Sequence, residues 1–529
     1  MNWPATIANS LWLGSSLPAW LNFRQALQRP ARAQVNVLRH LLARNADSAY
    51  GRAYGFARIK DCKDFAERVP LVDHQNLEPW IERIRQGDTR MLTTERVTHL
   101  IPTSGSTGAR KLIPFTAGLQ QQFNRAIGPW MVDLARQRPG ILSGPAYWSI
   151  TPATPPATNE SSKVPVGFAD DAAYLGGAKG WLVRAAMAVP NELAHVVDLQ
   201  EFRFRTLLCL LRQRDLRLMS VWHPSFLTLL LDSLPCFWER ILEQLLREKH
   251  CRAHELAHAD PRQTRTMWPR LQVISCWGDG HAEIPMAELR RRFLGVIVQA
   301  KGLLATEAIV TIPFGDAHPV AVNSHFFEFI GGDGNIHLVH ELVEGETYEV
   351  VITTAGGLWR YRLGDCVQVT GFVRRTPSLR FLARKNNVSD LCGEKLSEGF
   401  VARVIQESLS SLRLTPRFCL LAPDENTEGH CYTVYFEGTA PPHFADMIDQ
   451  ALCADPNYAY CRNLQQLLPV RMFAIAGHGY ETFANRLAAE GRRIGDIKPT
   501  SLSRMSGWSQ IFKGEYVEPS QNVITTVSP

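Results

Sequence analysis

The sequence lacks several features that would place it in a special class of protein. No window approaches the roughly 18 consecutive apolar residues that a membrane-spanning helix requires. Its 11 cysteines include no CxxC pair and no His/Cys cluster at zinc-binding spacing. There is no internal repeat, and 57 Lys and Arg against 51 Asp and Glu leave a net charge of only +6. These absences exclude a membrane-spanning protein, a zinc-finger protein and a solenoid, and they give no argument for a nucleic-acid partner.

What is present is an ordinary globular composition on a long chain. The 529 residues are 45% hydrophobic and 20% charged, which is enough for two to four domains with a large buried core. Scattered cysteines without a framework predict buried free thiols in a reducing compartment. We therefore expect a cytoplasmic protein that contacts neither membrane nor nucleic acid and, by default, is a monomer.

The pattern of apolar residues predicts an α/β fold in two parts. Residues 20–90 have helical spacing, and short β-rich runs bounded by Gly or Pro then appear at 97–101, 271–277, 296–300, 325–330, 347–354 and 367–373. From about residue 378 a compact alternation of strands and helices begins. The prediction is a large N-terminal α/β domain with mixed sheets over 1–380 and a smaller α+β domain over 381–529.

The sharpest local motif is TSGSTGARK at residues 103–111, directly after an apolar strand. Glycines and hydroxyls let backbone N–H groups approach an anion, and Lys111 adds a positive charge. A Walker P-loop is rejected because Gly105 and Gly108 are three apart and Leu112 stands where that motif needs a hydroxyl. Plain turn chemistry is the alternative for this loop.

Three further segments each supply a different part of a nucleotide site. GLLATE at 302–307 ends in a hydroxyl and a carboxylate, the oxygen ligands that Mg²⁺ prefers. YRLGD at 361–365 is interpreted as an acid after a Gly turn at the end of a strand, where it can bind ribose hydroxyls. CWGDGHAE at 276–283 is a strand-end loop with backbone groups available to a purine. Each motif alone is weak evidence for a nucleotide site. The order of the motifs along the chain is the more specific signal.

That order resembles the adenylate-forming superfamily of acyl-CoA synthetases and adenylation domains. More closely, the chain resembles the Gretchen Hagen family of auxin- and jasmonate-conjugating acyl-acid amido synthetases, in its bacterial branch. The resemblance runs through NADSAYGRAYGF (45–56), FAERVPLVDHQNLEPWIERIRQGD (65–88), the Ser/Gly loop, GLLATE with NSHFFEFI (323–330), ITTAGGLWRYRLGDCVQVTGF (352–372) and RKNNVSDLCGEKLSE (384–398). It covers nearly the whole chain.

The resemblance implies the adenylate-forming fold, with a mobile C-terminal domain, and a two-step ligase. ATP and a carboxylic acid give an acyl-adenylate and pyrophosphate, and the amine of an amino acid then takes the acyl group and releases AMP. Lys111, Glu307 and a C-terminal lysine would be catalytic, and Glu307 would also hold Mg²⁺. The ATP-binding residues it implies are Ser104, Gly105, Ser106, Thr107, Gly108, Gly278, Asp279, Ala305, Thr306, Glu307, Tyr361, Arg362 and Asp365.

Several alternatives stay open from the sequence. The C-terminal lysine is Lys498 in DIKPTSL or Lys513 in IFKGEY, and family position favours Lys498. Family position also suggests that Trp222, His223 and Phe226 line the acyl pocket, although ordinary core packing explains them equally well. The acyl group could pass instead to CoA, a carrier-protein thiol or an alcohol, or the fold could be a degenerate scaffold.

Overall fold

The computed structural model describes residues 2–103, 111–149, 162–167, 177–196, 198–279, 282–385, 388–426, 429–490 and 497–517. Contacts between Cα atoms divide the chain into two compact units. The first unit comprises Met1–Ala282 and Met286–Leu382, and the second comprises Glu283–Pro285 and Ala383–Pro529. Each unit has hydrophobic cores of its own.

Helices make up most of the first unit up to residue 90, as the apolar spacing predicts. Side chains cap several of them: Asn2 accepts a hydrogen bond from the Ala5 N–H, and Asp73 and Asn76 form a reciprocal capping box. The helices are α1 Trp3–Ala26, α2 Pro30–Asn45, α3 Ala49–Ala53, α4 Cys62–Arg68, α5 His74–Arg85, α6 Ala117–Gln137, α7 Gly177–Ala185, α8 Leu199–Arg212, α9 Pro224–Asp232, α10 Leu234–Arg247, α11 Ala253–Ala257, α12 Thr264–Met267 and α13 Glu283–Arg292.

Three sheets follow from the β-rich runs of this part of the chain. A two-stranded hairpin pairs β1 with β2, a four-stranded sheet has the order β3-β4-β5-β6, and a five-stranded sheet has the order β11-β10-β9-β7-β8. The strands are β1 His99–Thr103, β2 Lys111–Phe115, β3 Ala146–Trp148, β4 Leu218–Ser220, β5 Val273–Cys276, β6 Ile297–Ala300, β7 Phe326–Gly331, β8 Ile336–Leu338, β9 Thr347–Thr353, β10 Tyr361–Val373 and β11 Thr376–Arg384.

The four-stranded sheet is parallel throughout. Its strands pair in register, with Leu218 opposite both Ala146 and Val273, and Val273 opposite Ile297. All four residues of β5 are buried, as expected for a strand covered on both faces. The remaining sheets of this unit pair antiparallel where their registers are defined.

A buried ion pair fixes the start of β10. The Arg360 guanidinium donates to both carboxylate oxygens of Glu328 on β7, at 2.9–3.1 Å, and to the carbonyls of Ala66 and Val69 beside α4. Both charged side chains are almost fully buried. Because the buried guanidinium bonds both the Glu328 carboxylate and two backbone carbonyls, it ties the end of α4 to β7 directly before YRLGD.

The second unit is a small α+β arrangement. Its main sheet has the order β14-β15-β16-β17, in which β15 and β16 run parallel and the outer pairs run antiparallel. Its strands are β12 Val388–Ser389, β13 Leu396–Ser397, β14 Phe418–Asn426, β15 Gly429–Glu437, β16 Arg471–Ile475 and β17 Gly514–Val517, and its helices are α14 Glu398–Ser411, α15 Phe444–Leu452, α16 Pro456–Asn463 and α17 Gly479–Ala489.

Two sequence-based expectations concern the whole chain. The 11 cysteines form no disulfide, as predicted, although Cys236, Cys251 and Cys453 are exposed rather than buried. Within the described ranges, no helix has the length and apolar character needed to cross a membrane.

Candidate active site

The carboxyl ends of the four parallel strands meet at one edge of their sheet. Ser220 on β4 lies opposite Ser275 on β5, and Cys276 lies opposite Ala300 on β6. Segments leaving these ends are therefore neighbours although they are far apart in sequence. In parallel α/β sheets, ligands bind beyond this edge. The motifs CWGDGHAE and GLLATE and the proposed acyl-pocket segment all begin here.

The segment after β6 is held tightly against β5. The Lys301 N–H donates to the Cys276 carbonyl at 2.9 Å, which extends the ladder by one residue. Gly302 has φ +76°, and a Cβ there would lie 2.7 Å from the Thr311 Oγ1, which itself accepts the Leu303 N–H at 2.8 Å. Glycine is required because both the left-handed backbone and the close approach exclude a side chain.

GLLATE then forms a tight turn. The Ala305 N–H donates to the Ala308 carbonyl and the Val310 N–H to the Leu303 carbonyl, both at 2.9 Å. Thr306 and Glu307 lie at the tip of this turn, and Glu307 is only 7% exposed. A buried carboxylate beside the strand ends fits the sequence-based assignment of Glu307 to cation binding, since Mg²⁺ is commonly held by one or two carboxylates together with substrate phosphates.

Among the described residues, no group of three or more His, Cys, Asp or Glu side chains forms a metal site.

The loop after β5 is anchored to the antiparallel sheet. The carboxylate of Asp279 accepts the Phe381 N–H of β11 at 3.0 Å, and the rings of Trp277 and Phe381 meet edge to face at 5.3 Å. Burial raises the pKa of Asp279, and the Phe381 hydrogen bond acts in the opposite direction. A Cβ on Gly278 would lie 2.6 Å from the Cβ of Ala300, so this loop passes β6 at close range.

The segment after β4 carries the three residues proposed for the acyl pocket. Trp222 is 39% exposed, whereas His223 is buried and caps α9 through its Nδ1, which accepts the Ser225 N–H at 3.2 Å and lies 2.6 Å from the Ser225 Oγ. Phe226 packs, half-buried, against the core beneath α9. Trp222 is thus the member available to a ligand, and His223 has a local structural role.

Lys301 also lies at this sheet edge, although none of the sequence motifs includes it. It is 6% exposed, and its Nζ lies 5.2 Å from the centroid of the Trp222 ring. A cation over an aromatic face keeps its charge in a partly apolar setting. The signal in the sequence was a lysine at the end of a β-rich run, directly before a glycine.

Lys111 begins β2, and Thr103 at the end of β1 lies opposite it. The two strands therefore bring the ends of the Ser/Gly loop together. The His74 Nε2 accepts the Leu112 N–H at 3.2 Å, and burial together with the Lys111 charge lowers the pKa of His74. The ammonium of Lys111 is therefore close to His74, at the start of α5. The loop residues Ser104, Gly105, Ser106, Thr107 and Gly108 lie outside the described residues.

Asp365 differs in local setting from the sequence interpretation. It does not follow the end of a strand: it lies inside β10, where the pairing with β9 shifts between Arg362 and Cys366. Gly364 there has φ +79°, and Asp365 is only 1% exposed. The irregularity is a bulge-like interruption of the ladder, a feature that re-aims side chains in many sheets.

The first two residues of the YRLGD motif have partners of their own. The guanidinium of Arg362 forms a bidentate pair with Glu349 of β9 at 2.8–2.9 Å. Tyr361 is buried and bridges to Val72. Both therefore support the strand from which Asp365 projects. Convergence of Lys111, Glu307 and Asp365 on one nucleotide stays a prediction.

The candidate C-terminal lysines are both exposed in the second unit. Ile497 before Lys498 is buried, and its carbonyl accepts the Tyr480 hydroxyl at 2.7 Å, while Thr500 after it bonds to Glu398. Lys498 therefore projects from a segment fixed on both sides. Lys513 precedes β17, and its carbonyl accepts the Ala476 N–H at 2.8 Å.

Known proteins resemble this chain along most of its length. A probable indole-3-acetic acid-amido synthetase of Oryza sativa subsp. japonica, GH3.12, is 24% identical, with 91% of this chain and 92% of that protein covered. The jasmonoyl–L-amino acid synthetase JAR4 of Nicotiana attenuata is 24% identical, over 69% of this chain and 71% of that protein. The solved acyl acid amido synthetase AtGH3.15, in complex with 2,4-DB, has a TM-score of 0.82 at 17% identity, covering 94% of this chain and 96% of its own.

The solved structure shows that the predicted α/β fold class is correct. Three models of one family also match successive parts of the chain. They are the GH3 family N-terminal domain over residues 20–254, the GH3 family central domain over 318–384 and the GH3 family C-terminal domain over 400–506. Matches to all three parts in their proper order, over most of the chain, show that this protein belongs to the GH3 family.

Proposed function

We propose that this chain is an ATP-dependent acyl-acid amido synthetase, which joins a carboxylic acid to the amine of an amino acid. The observation that carries the proposal is the ordered match to all three GH3 domains. One relative is named an indole-3-acetic acid-amido synthetase and another a jasmonoyl–L-amino acid synthetase. A carboxylate oxygen first attacks the α-phosphorus of ATP and displaces pyrophosphate. The amine nitrogen then attacks the acyl carbon, the bond to AMP breaks, and the amine loses a proton.

The first step brings together anions, so the site must neutralise charge in advance. Lys111 and the Ser/Gly loop would bind the phosphates, with the backbone N–H groups of that loop directed at the anion. Thr306 and Glu307 would hold Mg²⁺ with ATP, and the ion would supply further positive charge at the phosphate oxygens. The carboxylate of Glu307, buried at the tip of its turn beside the strand ends, fits that role.

The remaining nucleotide contacts are assigned by the same reasoning. Asp365 would accept hydrogen bonds from the ribose hydroxyls, and Tyr361 and Arg362 would hold its strand. The adenine would lie against Gly278, Asp279 and the backbone at Ala305. The Asp279 carboxylate already accepts the Phe381 N–H, so its role would be to position the loop, with the backbone contacting the purine.

Lys301 and Trp222 extend the proposed acid site. The acid must place its carboxylate near the α-phosphate and its hydrocarbon part in an apolar setting. A buried ammonium over the face of a partly exposed indole, at the edge where the nucleotide motifs begin, offers both. Lys301 would orient the acid carboxylate, Trp222 would pack against the acyl group, and His223 and Phe226 would shape the wall behind it.

The second step needs a neutral amine. The α-amine of a free amino acid is almost entirely protonated at pH 7, because its pKa lies well above 7. A general base would raise the rate, and no side chain is assigned to that role. Lys498, from the domain predicted over 381–529, would stabilise the adenylation transition state rather than the second step.

Further features of the proposal concern the protein as a whole. We place it in the bacterial branch of the family and in the cytoplasm, with neither nucleic acid nor membrane as a partner. The sequence gives a monomer by default.

Pyrophosphate release over a panel of carboxylic acids tests the proposal. We expect release to depend on ATP and on a particular acid, and mass spectrometry to find the amide when an amino acid is added. Hydroxylamine should trap the acyl-adenylate when the amino acid is omitted. A thioester formed with CoA, or an ester formed with an alcohol, and no amide with any amino acid would assign the chain to a different adenylate-forming activity.

A further inference from the structure

One face of the four-stranded parallel sheet carries a row of polar side chains. Ser220 of β4, Ser275 of β5 and Gln299 of β6 lie opposite one another in register, and residues paired in this way point to the same face of a sheet. Gln299 contacts Trp130 of α6, so the row faces α6. Strands of a covered parallel sheet are normally apolar throughout, and a polar row on one of them therefore calls for a reason.

The row lies next to the proposed acid site at Lys301 and Trp222. The Lys301 N–H continues the ladder between β5 and β6 by donating to the Cys276 carbonyl. Side chains two residues apart in a strand point to the same face and are roughly 6–7 Å apart along it. Gln299 therefore lies on the same side of the sheet as the Lys301 ammonium, which lies over the Trp222 ring. An acyl group that extends from Lys301 between the sheet and α6 would meet Gln299.

Two hydrogen bonds fix the orientation of the Gln299 amide. Its Oε1 accepts the Trp130 Nε1–H at 3.0 Å and the Ser275 hydroxyl at 3.3 Å. An indole N–H can only donate a hydrogen bond, so the amide atom that faces Trp130 must be the oxygen. The other end of the amide is then the NH2 group, which offers two donors.

These two donors are available to a ligand. Among the residues that the structure describes, no acceptor binds the Gln299 Nε2. Gln299 is only half-buried, and its Nε2 is not one of the fully buried polar atoms. In the same row, the buried Ser220 hydroxyl also lacks a hydrogen-bond partner within the described ranges. Unpaired polar groups in a largely buried setting are costly, and a ligand that supplies the missing partner removes that cost.

We propose that Gln299 selects acids whose acyl part carries an oxygen that accepts a hydrogen bond, such as a carbonyl or ether oxygen. The inference rests on the proposed ligase function and names the substrate class of its acid site. The Gln299 Nε2 donates to that oxygen while Lys301 binds the carboxylate, and Trp130 and Ser275 hold the amide in position. A purely hydrocarbon acyl group leaves the Nε2 donors desolvated and unpaired, which a site built to make this bond penalises strongly.

Pairs of acids that differ only in a C=O or a C=CH2 group test this selectivity with the full-length protein. The rigid pair is 4-oxocyclohexanecarboxylate and 4-methylenecyclohexanecarboxylate, and the flexible pair is 5-oxohexanoate and 5-methylenehexanoate. We expect the oxo acid of at least one pair to have a dissociation constant in calorimetry, and a KM in pyrophosphate release, about tenfold or more below those of its methylene partner. Binding of both methylene acids as tight as that of the oxo acids, or no binding of any of the four, would overturn the proposal.

Gln299→Glu separates selectivity from folding. Its carboxylate still accepts from Trp130 and Ser275 but cannot donate, so the preference for the oxo acid should fall below about threefold. Repulsion of the acid carboxylate affects both acids of a pair and cancels in their ratio. Gln25→Glu, at an exposed position of α1, is the matched control and should keep the wild-type ratio.

The two readouts distinguish this inference from the ligase function on which it rests. A preference that survives in Gln299→Glu would contradict the role of Gln299. Amide formation without any preference for the oxo acids would reject the selectivity and leave the ligase function standing. A preference in calorimetry that depends on Gln299, with no pyrophosphate release, would support the acid site and reject the ligase function.

Discussion

Among single residues, Asp365 carries the most specific expectation for nucleotide binding. It is 1% exposed at a strand irregularity, and a carboxylate that accepts two ribose hydroxyls makes charge-assisted hydrogen bonds. Asp365→Asn keeps the shape and removes the charge, so acid-dependent ATP–pyrophosphate exchange should fall about tenfold or more. Asp333→Asn, at an exposed turn, is the matched control. Exchange at the wild-type rate in Asp365→Asn would remove this residue from the site.

Lys301 allows an independent test of the acid-binding part. Lys301→Met keeps the length of the side chain and removes its charge, so the KM for the acid should rise about tenfold while the KM for ATP changes little. Lys301→Arg should recover part of the loss, which a purely structural role would not predict. Lys60→Met, at an exposed lysine of the same unit, should match the wild type. An unchanged KM for the acid in Lys301→Met would contradict the assignment.

Most secondary structure elements could be predicted because their apolar residues recur at clear helical or strand spacing. The runs at 296–300 and 347–354 became β6 Ile297–Ala300 and β9 Thr347–Thr353. The short strands β3 and β4 were not identified, since three residues are too few to show a period. Asp365 was placed at a strand end because a Gly often ends a strand, whereas Gly364 adopts φ +79° inside β10 and the ladder resumes beyond it.

A buried histidine directly before β7 contacts Phe123 of α6 and has a consequence for stability. His325 contacts the rings of Phe123 and Phe327, and burial, with a smaller effect of Arg125, lowers its pKa to about 3. In the unfolded chain a histidine titrates near 6.5. Acid therefore protonates the unfolded state first, and the stability present above pH 6.5 is lost as pH falls toward 3.

The loss attributable to His325 should be about 2 kcal/mol between pH 7 and pH 5. His325→Phe keeps an aromatic ring in the same packing and cannot take a proton. Urea unfolding at several pH values should therefore show a shallower acid dependence for this variant than for the wild type. His258→Phe, at an exposed position, should keep the wild-type dependence. Equal slopes for His325→Phe and the wild type would mean that His325 is not buried as a neutral ring.

At the scale of the whole molecule, the order of the motifs along the chain indicated a shared site, because folding brings distant segments together. Parallel pairing brings Trp222, Asp279 and Lys301 to one sheet edge, although nearly 80 residues separate the first and last of them. Lys301 was missed because a single lysine forms no repeating pattern in the sequence. Its neighbour in the fold, Trp222, stands more than 70 residues earlier in the chain. Contacts of this kind depend on the register between strands, which no local pattern specifies.

Some variants should lose adenylation while they still bind ATP, and others should lose both. A ligand at 100 times its dissociation constant stabilises a protein by about 2.7 kcal/mol, so ATP should raise the melting temperature of the wild type. Lys498→Ala should keep this shift and slow pyrophosphate exchange, because a group that acts only in the transition state does not contribute to ground-state binding. Asp365→Asn should lose both, and Lys513→Ala should lose neither. Slow exchange in Lys513→Ala with a normal rate in Lys498→Ala would assign the transition-state role to Lys513, which is exposed as well.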